Sequence, residues 1–165
     1  MSVSKICAAQ DWTLAGYDAA QGIITELGLS NLAANTDGFC LKNRDKYYIL
    51  YNRYLSAERQ RFVIAHEIGH IVLEHVDRTQ CTTANFPPAW DCEPDELAAN
   101  LYAARLVAPA PVLHAIHAVT PEQIADACGL TSTAAAFCAE YSASDNSLLD
   151  SFSSYVRRVF RQQRR

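Results

Sequence analysis

Residues 61–75 read RFVIAHEIGHIVLEH, and the segment His66-Glu67-x-x-His70 inside them is the most informative part of the chain. Side chains four residues apart on a helix project from the same face, about one turn apart. The two imidazoles can therefore bind one Zn²⁺ together, with Glu67 beside the ion as a general base. A metal that acidifies water next to a carboxylate is the core of a metallohydrolase. The stretch thus predicts a helix and, on that helix, part of a zinc site.

A catalytic zinc ion usually takes three protein ligands, so a further segment must supply the third. In the sequence CEPDELAANLYAARLVAP, Pro94 suits the first turn of a helix that runs to Ala108. Glu96 lies 26 residues after His70, and Asn100 lies one turn further along the same helical face. We therefore expect Glu96 to be the third ligand and Asn100 to hydrogen-bond a ligating histidine.

Glu93 and Asp95 are the rival third ligands. Both face different directions from Asn100, and Glu93 would act as a cap on a helix that starts at Pro94. The helical register therefore favours Glu96 over its two neighbours.

The helix that carries the two histidines is predicted to begin after Ser56, a favourable N-cap, and to run through His75. His75 lies nine residues after His66, about two and a half turns, so its side chain is expected to point away from the metal. We expect His75 to be a cation at the helix C-terminus or to face solvent. Residues 77–91 contain adjacent threonines and prolines, and predict a long loop that walls a cleft.

The rest of the first two thirds of the chain predicts more helix and one small sheet. Residues 4–29 are rich in Ala and have apolar residues at helical spacing, with Gly28 as a stop signal. Residues 39–42 and 46–52 are rich in aromatic and aliphatic side chains and flank a short polar turn, which predicts an antiparallel hairpin. The expected fold class is mostly helical α+β, with a small antiparallel sheet packed beside the helix of the histidines.

The C-terminal part of the chain is predicted to be helical. Thr120 is an N-cap that is followed by Pro at the first helical position and by Gln123 at the capping-box position. Residues 120–137 have the cadence of a helix-turn-helix with Gly129 at the turn, but they carry no basic residue, so direct nucleic-acid binding is not expected. Apolar residues at a spacing of 3.6 between 148 and 160 predict a last helix that packs on the core.

Length and composition favour one domain over residues 1–165, with a core at about 38–109 and a helical part at about 110–165. Half of the 165 residues are hydrophobic, which is enough for a real core. The net charge is −4, and five of the 14 basic residues lie in the last nine positions, which contain no acidic residue. The remaining body is therefore acidic and does not suit a nucleic-acid surface. Because the chain shows neither a membrane span nor a signal peptide, we expect a cytoplasmic protein without membrane association. Its six cysteines lack CxxC spacing and are expected to be free and mostly buried.

Two segments together resemble the ImmA/IrrE family of zinc metallopeptidases, which are compact gluzincins. RQRFVIAHEIGHIVLEH is similar to the family's RFxxAHExGHxxLH helix, and DELAANLYAARLVAP is similar to its ExxAN-x-[FY]-AA-x-L-x-P helix. Arg105 departs from the pattern, since many relatives have an acidic or neutral residue there. The resemblance implies a zincin-like core in which the zinc ligands are His66, His70 and Glu96 and the catalytic base is Glu67. Asn100 would hydrogen-bond a ligating histidine and so orient it.

The resemblance also implies further residues and a partner. Gluzincins use a His or Tyr donor to stabilise the oxyanion, and the candidates here are His114, His117 and Tyr141. Several family members cleave a helix-turn-helix repressor that is encoded beside them in a prophage or mobile element. The chain is accordingly expected to be a stand-alone, ImmA-like intracellular endopeptidase with a repressor as its protein substrate. The alternative is a zinc-stabilised, non-catalytic anti-repressor or toxin–antitoxin component that acts by docking to its partner.

Overall fold

The structure is a computed structural model that describes residues 2–76 and 93–142, together with the backbone of residues 81–84. The chain forms two compact units, residues 1–107 and residues 108–165. Each unit is described by itself below, and the single domain over the whole chain stays a prediction.

The first unit is built on a four-stranded mixed sheet with the strand order β1-β3-β2-β4. Strands β2 and β3 form the predicted antiparallel hairpin, and β2 also pairs antiparallel with β4. Strand β1 runs parallel to β3, so the expectation of a purely antiparallel sheet is wrong in this one pairing. A parallel pair needs a long connection, which the helices between β1 and β2 provide. The strands are β1 Thr13–Gly16, β2 Gly38–Asn43, β3 Lys46–Tyr51 and β4 Cys81–Ala84.

Helices cover this sheet and carry the predicted site. Helix α4 begins after Ser56, whose side chain accepts a hydrogen bond from the backbone amide of Arg59 at 3.3 Å, as predicted. Helix α5 begins at the predicted Pro94 and ends one residue before the predicted end. In the described residues of this unit the helices are α1 Val3–Ala9, α2 Gln21–Glu26, α3 Ser30–Asn35, α4 Ala57–Val72 and α5 Pro94–Val107.

The predicted helical stretch at 4–29 is instead divided by strand β1. Asp11 ends α1 with a left-handed φ of 56°, and the residues after Trp12 extend to pair with β3. This pairing overrides the helical propensity of the Ala-rich sequence. Gly28 lies just beyond α2 with a φ of 70°, where the stop signal was expected.

Side chains of the central strands alternate between two apolar clusters, one on each face of the sheet. The cluster that includes residues of α4 also contains Cys40 of β2 and Ile49 of β3. The other cluster contains Phe39 and Leu41 of β2 together with Ile24 of α2. Helix α4 is therefore held against one face of a sheet that is buried on both sides.

The second unit is helical in its described part. It contains α6 Ala110–Ala115, α7 Pro121–Cys128 and a helix α8 whose described part spans residues 132–142. The predicted capping box is present, with the Thr120 side chain bonded to the Gln123 amide and the Gln123 side chain bonded to the Thr120 amide. Gly129 caps α7 in the left-handed conformation, with a φ of 60°.

Several sequence predictions have a plain outcome in the described residues. No helix there is long and apolar enough to cross a membrane. Residues 81–84 form a strand where a loop was predicted, and the remainder of the predicted loop lies outside the described residues, as does the predicted helix at 148–160. As expected, the described cysteines are buried and form no disulfide: Cys7, Cys40, Cys128 and Cys138.

Candidate metal centre

Two helices supply the candidate ligands. His66 and His70 lie one turn apart on α4, and Glu96 lies in the first turn of α5. The Nε2 atoms of the two histidines are 2.9 Å apart. Glu96 places Oε2 at 3.3 Å from His66 Nε2 and Oε1 at 3.2 Å from His70 Nε2. The structure thus brings together the three residues that the sequence pattern singled out.

This donor set fits a zinc ion. Zinc binds imidazole nitrogen and carboxylate oxygen at about 2.0–2.2 Å, so a tetrahedral site places ligand atoms roughly 3.3–3.6 Å apart. The two imidazole–carboxylate distances are close to this spacing, and the imidazole–imidazole distance is a few tenths of an ångström shorter. Three protein ligands also leave the fourth position that a catalytic zinc needs. The group is therefore a metal site of the kind found in zinc peptidases.

A glycine allows the two helices to approach closely enough for this geometry. A Cβ atom on Gly69 would lie 3.1 Å from the carbonyl oxygen of Ala99 and 3.2 Å from the Cβ atom of Tyr102. Because packed backbone cannot yield easily, a larger residue would push α5 away from α4. Gly69 precedes His70 and Ala99 precedes Asn100, so this close approach occurs at the level of the site.

Asn100 contacts the first histidine. Its side-chain Oδ1 is 2.8 Å from Nδ1 of His66, and both side chains are buried. Since an amide oxygen only accepts, the His66 Nδ1–H donates this bond, which leaves the Nε2 lone pair for a metal. The contact expected from the sequence between Asn100 and a ligating histidine is present.

Glu67 is a buried carboxylate next to the ligands. It is completely buried, and neither of its oxygens makes a hydrogen bond within the described residues. Burial raises the pKa of Glu67 to about 7, although the charge of His66 and the nearby Cys40 thiol and amide lower it. Cys40 is therefore close enough to stabilise the charged carboxylate of Glu67, although the distances and angles do not meet those of a normal hydrogen bond.

Strand β2 packs against the part of α4 that carries Glu67. Gly38, the first residue of β2, has no side chain, and a Cβ atom there would lie 2.5 Å from Val63 Cγ1 and 3.8 Å from Glu67 Cγ. The strand can therefore lie directly against this part of α4. The sequence patterns that predict β2 and α4 separately do not predict that the two elements pack together at Glu67.

The ionisation of the ligands reflects their mutual contacts. Burial raises the pKa of Glu96, but its hydrogen bonds to the two imidazoles outweigh burial and lower the pKa to about 2. Burial lowers the pKa of His70. Burial also opposes the charge on His66, but its contacts with Glu96 and the charge of Glu67 raise its pKa. Metal binding needs the imidazole nitrogens and the carboxylate that face the ion to be unprotonated, so metal affinity depends on pH.

His75 is the residue beside the site that sequence reasoning misplaced. Helix α4 ends at Val72, three residues before the predicted end, and Glu74 adopts a left-handed φ of 61°. The chain turns at residues 73–74, and after this turn His75 is only 4% exposed and its Nδ1 lies 2.8 Å from Nδ1 of His70. The expectation that His75 is a terminal cation or faces solvent is wrong for this reason. A third histidine five residues after a ligand was the available signal.

The two rival ligands lie elsewhere. Asp95 places Oδ1 at 3.6 Å from His75 Nε2, and the Glu93 side chain is exposed. Among the described residues, the group of converging metal-binding atoms contains neither of them.

The candidate oxyanion donors belong to the second unit. His114 and His117 are exposed around the end of α6. Tyr141 in α8 contacts Phe137, with ring centroids 4.8 Å apart. The role of these three residues as oxyanion donors stays a prediction.

This arrangement defines a zincin-type metallopeptidase centre. It combines two histidines of an HxxxH helix with a glutamate of the next helix, and a buried glutamate lies beside the first histidine. Residues 28–145, more than two thirds of the chain, match the family described as Peptidase_M78, the IrrE N-terminal-like domain. The chain belongs to this family of metallopeptidases, and the resemblance drawn from its two motifs is confirmed. The comparison with curated proteins found no match.

Proposed function

We propose that this metallopeptidase domain is a zinc-dependent endopeptidase in which Glu67 is the catalytic base. His66, His70 and Glu96 would hold Zn²⁺, which would supply the Lewis acidity that polarises the scissile carbonyl and acidifies a water molecule. Glu67 accepts a proton from the attacking water at its carboxylate and passes that proton to the leaving amine. Asn100 keeps His66 in the tautomer that leaves Nε2 unprotonated.

The burial of Glu67 is the observation that carries this proposal. A buried polar group without a hydrogen bond costs about 1–3 kcal/mol, and a charged group costs more. A site that only stabilised the fold would have no use for such a carboxylate beside its metal ligands, and groups of this kind concentrate at functional sites. A base that must stay available for a proton is a sufficient reason to keep Glu67 unpaired.

The Glu67→Gln substitution tests the role of the base, because it keeps the shape of the side chain and removes the basic oxygen. We expect zinc content to be unchanged, as measured by elemental analysis of the purified protein. Cleavage of a protein substrate should fall by about 10²-fold or more, the usual contribution of a general base. The matched control is Glu93→Gln, which removes an exposed carboxylate at the start of α5 and should leave cleavage unchanged. Full activity of Glu67→Gln would reject the assignment.

We further propose that the substrate is a helix-turn-helix repressor of a prophage or mobile element, cleaved in the cytoplasm. The support is the family resemblance of the two motifs together with the Peptidase_M78 match. Co-expression with the helix-turn-helix regulator encoded beside the gene tests this substrate. A fragment of the regulator should appear with the wild-type protein and be absent with Glu67→Gln.

The same experiment separates the enzyme from a docking protein. A non-catalytic anti-repressor would relieve repression equally well with Glu67→Gln, and the regulator would stay intact. Relief of repression that requires both Glu67 and a fragment supports the peptidase.

A further inference from the structure

We propose that His75 is a positioning residue of the metal centre, which accepts a hydrogen bond from His70 and whose other ring nitrogen faces the carboxylate of Asp95. The proposal rests on the metal site described above and adds a support for its second histidine. The sequence shows a third histidine close to the motif, but helical periodicity alone points it away from the metal. Its actual position depends on the turn after α4.

His75 makes a close and well-packed contact with His70. Its side chain is buried against His70, with the ring centroids 5.0 Å apart and the ring planes inclined by 69°. The two Nδ1 atoms are 2.8 Å apart, a normal distance for a nitrogen–nitrogen hydrogen bond. At the far side of the ring, Nε2 lies 3.6 Å from a carboxylate oxygen of Asp95.

Metal binding at His70 determines which nitrogen atoms carry protons along the series His70, His75 and Asp95. His70 faces Glu96 and His66 through Nε2, so in the metal-binding form its proton must be on Nδ1. That Nδ1–H then donates to Nδ1 of His75, which must be unprotonated. The proton of the neutral His75 ring is consequently on Nε2, on the side of Asp95.

The Asp95 carboxylate acts on His75 through its charge, at a distance longer than a direct hydrogen bond. An imidazole alone is a neutral acceptor, whereas most ligating histidines donate to a carboxylate, a carbonyl or water. A carboxylate behind His75 favours a proton on Nε2 and increases the negative charge felt at Nδ1. Asp95 thus acts on the metal site through His75, although it is the immediate neighbour of the ligand Glu96.

The two ligating histidines are therefore oriented by different hydrogen-bond partners. Asn100, on α5, orients His66 directly, whereas His75, after the turn at Glu74, orients His70 and depends on Asp95 at the start of α5. Loss of such a partner commonly weakens metal binding by 10–100-fold.

Zinc affinity of the full-length protein tests the proposal, with Zn²⁺ alone as the ligand and a chromophoric chelator as the competitor. His75→Leu, which fills the space without an acceptor, should weaken the affinity for zinc by about 10–100-fold. His75→Asn, whose side-chain oxygen can occupy the position of Nδ1, should restore binding to within a few fold of wild type. Equal affinity of wild type and His75→Leu would overturn the proposal, and so would an equal loss in His75→Asn and His75→Leu.

Asp95 has a matched control on the same helix end. Asp95→Asn should weaken zinc binding, whereas Glu93→Gln removes an exposed negative charge two residues earlier and should leave zinc binding unchanged. If the two substitutions weaken binding equally, the effect is one of general charge and Asp95 has no positioning role.

NMR of the ring nitrogens in the zinc-loaded protein shows which nitrogen of His75 carries the proton. This measurement distinguishes a positioning role of His75 from a role in packing alone. We expect His75 to be protonated on Nε2 and unprotonated on Nδ1, with a scalar coupling between its Nδ1 and that of His70. A proton on His75 Nδ1 would overturn the proposal, even if His75→Leu fails to fold. Failure of the wild-type protein to bind zinc would instead reject the metal centre itself, so the two failures are distinguishable.

Discussion

Cys138 shows how burial changes the chemistry of a single side chain. It is 2% exposed in the second unit, and burial, together with the neighbouring Cys128, raises the pKa of its thiol to about 12 from an ordinary value of 9.0. The folded protein therefore keeps the thiol proton at a pH where the unfolded chain loses it. The stability that this difference contributes is complete below pH 9 and is lost as the pH rises from about 9 to 12.

We predict that Cys138→Ala makes the free energy of unfolding less sensitive to alkaline pH. One proton corresponds to about 1.4 kcal/mol for each pH unit, so the fall between pH 9 and 11 should be less steep in the variant by up to that amount. Urea unfolding at several pH values measures both slopes. Identical slopes for wild type and variant would contradict the prediction, whatever the variant loses in absolute stability from its smaller side chain.

At the residue scale, spacing was sufficient to predict that the three candidate ligands converge. His66 and His70 share a helix face by period alone, and Glu96 was selected by its register with Asn100. The placement of His75 could not be predicted, because it depends on where α4 ends and on a left-handed residue after it. Local helix patterns specify periodicity well and specify ends poorly.

Among the elements, the contact between α4 and α5 decides the geometry of the site. We predict that Gly69→Ala destabilises the fold and weakens zinc binding, because its methyl group meets the backbone of Ala99 at 3.1–3.2 Å and separates the two helices. Strain of this kind typically costs 1–3 kcal/mol. Denaturant unfolding and zinc competition measure the two effects.

Gly22→Ala is the matched control for this substitution. Gly22 is also within a helix, α2, but a Cβ atom there has no atom within 4 Å. Since Ala is favoured over Gly in a helix, this variant should be as stable as wild type or more stable by up to about 1 kcal/mol. If Gly69→Ala behaves like Gly22→Ala, close approach of α4 and α5 is not required at Gly69.

The start of α7 is a second feature whose strength can be measured. Thr120 Oγ1 accepts a hydrogen bond from the Gln123 amide at 3.3 Å, and Gln123 Oε1 accepts from the Thr120 amide at 3.1 Å. We predict that Thr120→Ala costs about 1 kcal/mol in the free energy of unfolding, the usual loss for an N-cap. Thr133→Ala, an exposed threonine inside α8, should change stability by a few tenths of a kcal/mol at most. Equal effects of the two substitutions would mean that the capping box contributes nothing.

Elements with strong local signals were predicted, and those that depend on pairing were not. Caps at Ser56 and Thr120 and the hairpin of β2 and β3 are all present. Strands β1 and β4 are only four residues long, TLAG and CTTA, and neither sequence shows a clear alternation of apolar and polar residues. Each becomes a strand by hydrogen bonding to the central hairpin, which is information that a short segment does not carry.

For the whole molecule, the ligands link metal binding to folding. The three candidate ligands come from two helices that are 21 residues apart in the chain, and α4 is fixed by the sheet while α5 is fixed by α4. An unfolded chain does not bring these residues together, so a metal that binds only the folded form must stabilise it. The two compact units, 1–107 and 108–165, allow this effect to be located, because all three ligands belong to the first.

We predict that Zn²⁺ at about 100 times its dissociation constant stabilises the wild-type protein by about 2.7 kcal/mol and that excess chelator reverses the change. Thermal and urea unfolding with and without zinc measure this difference. Each variant is compared with its own metal-free form, so a loss of packing in His70→Ala does not obscure the result. His70→Ala, which removes a ligand, should show little stabilisation by zinc, whereas Glu93→Gln should respond like wild type. If unfolding occurs in two steps, only the step of unit 1–107 should move; equal stabilisation of wild type and His70→Ala would show that zinc acts elsewhere.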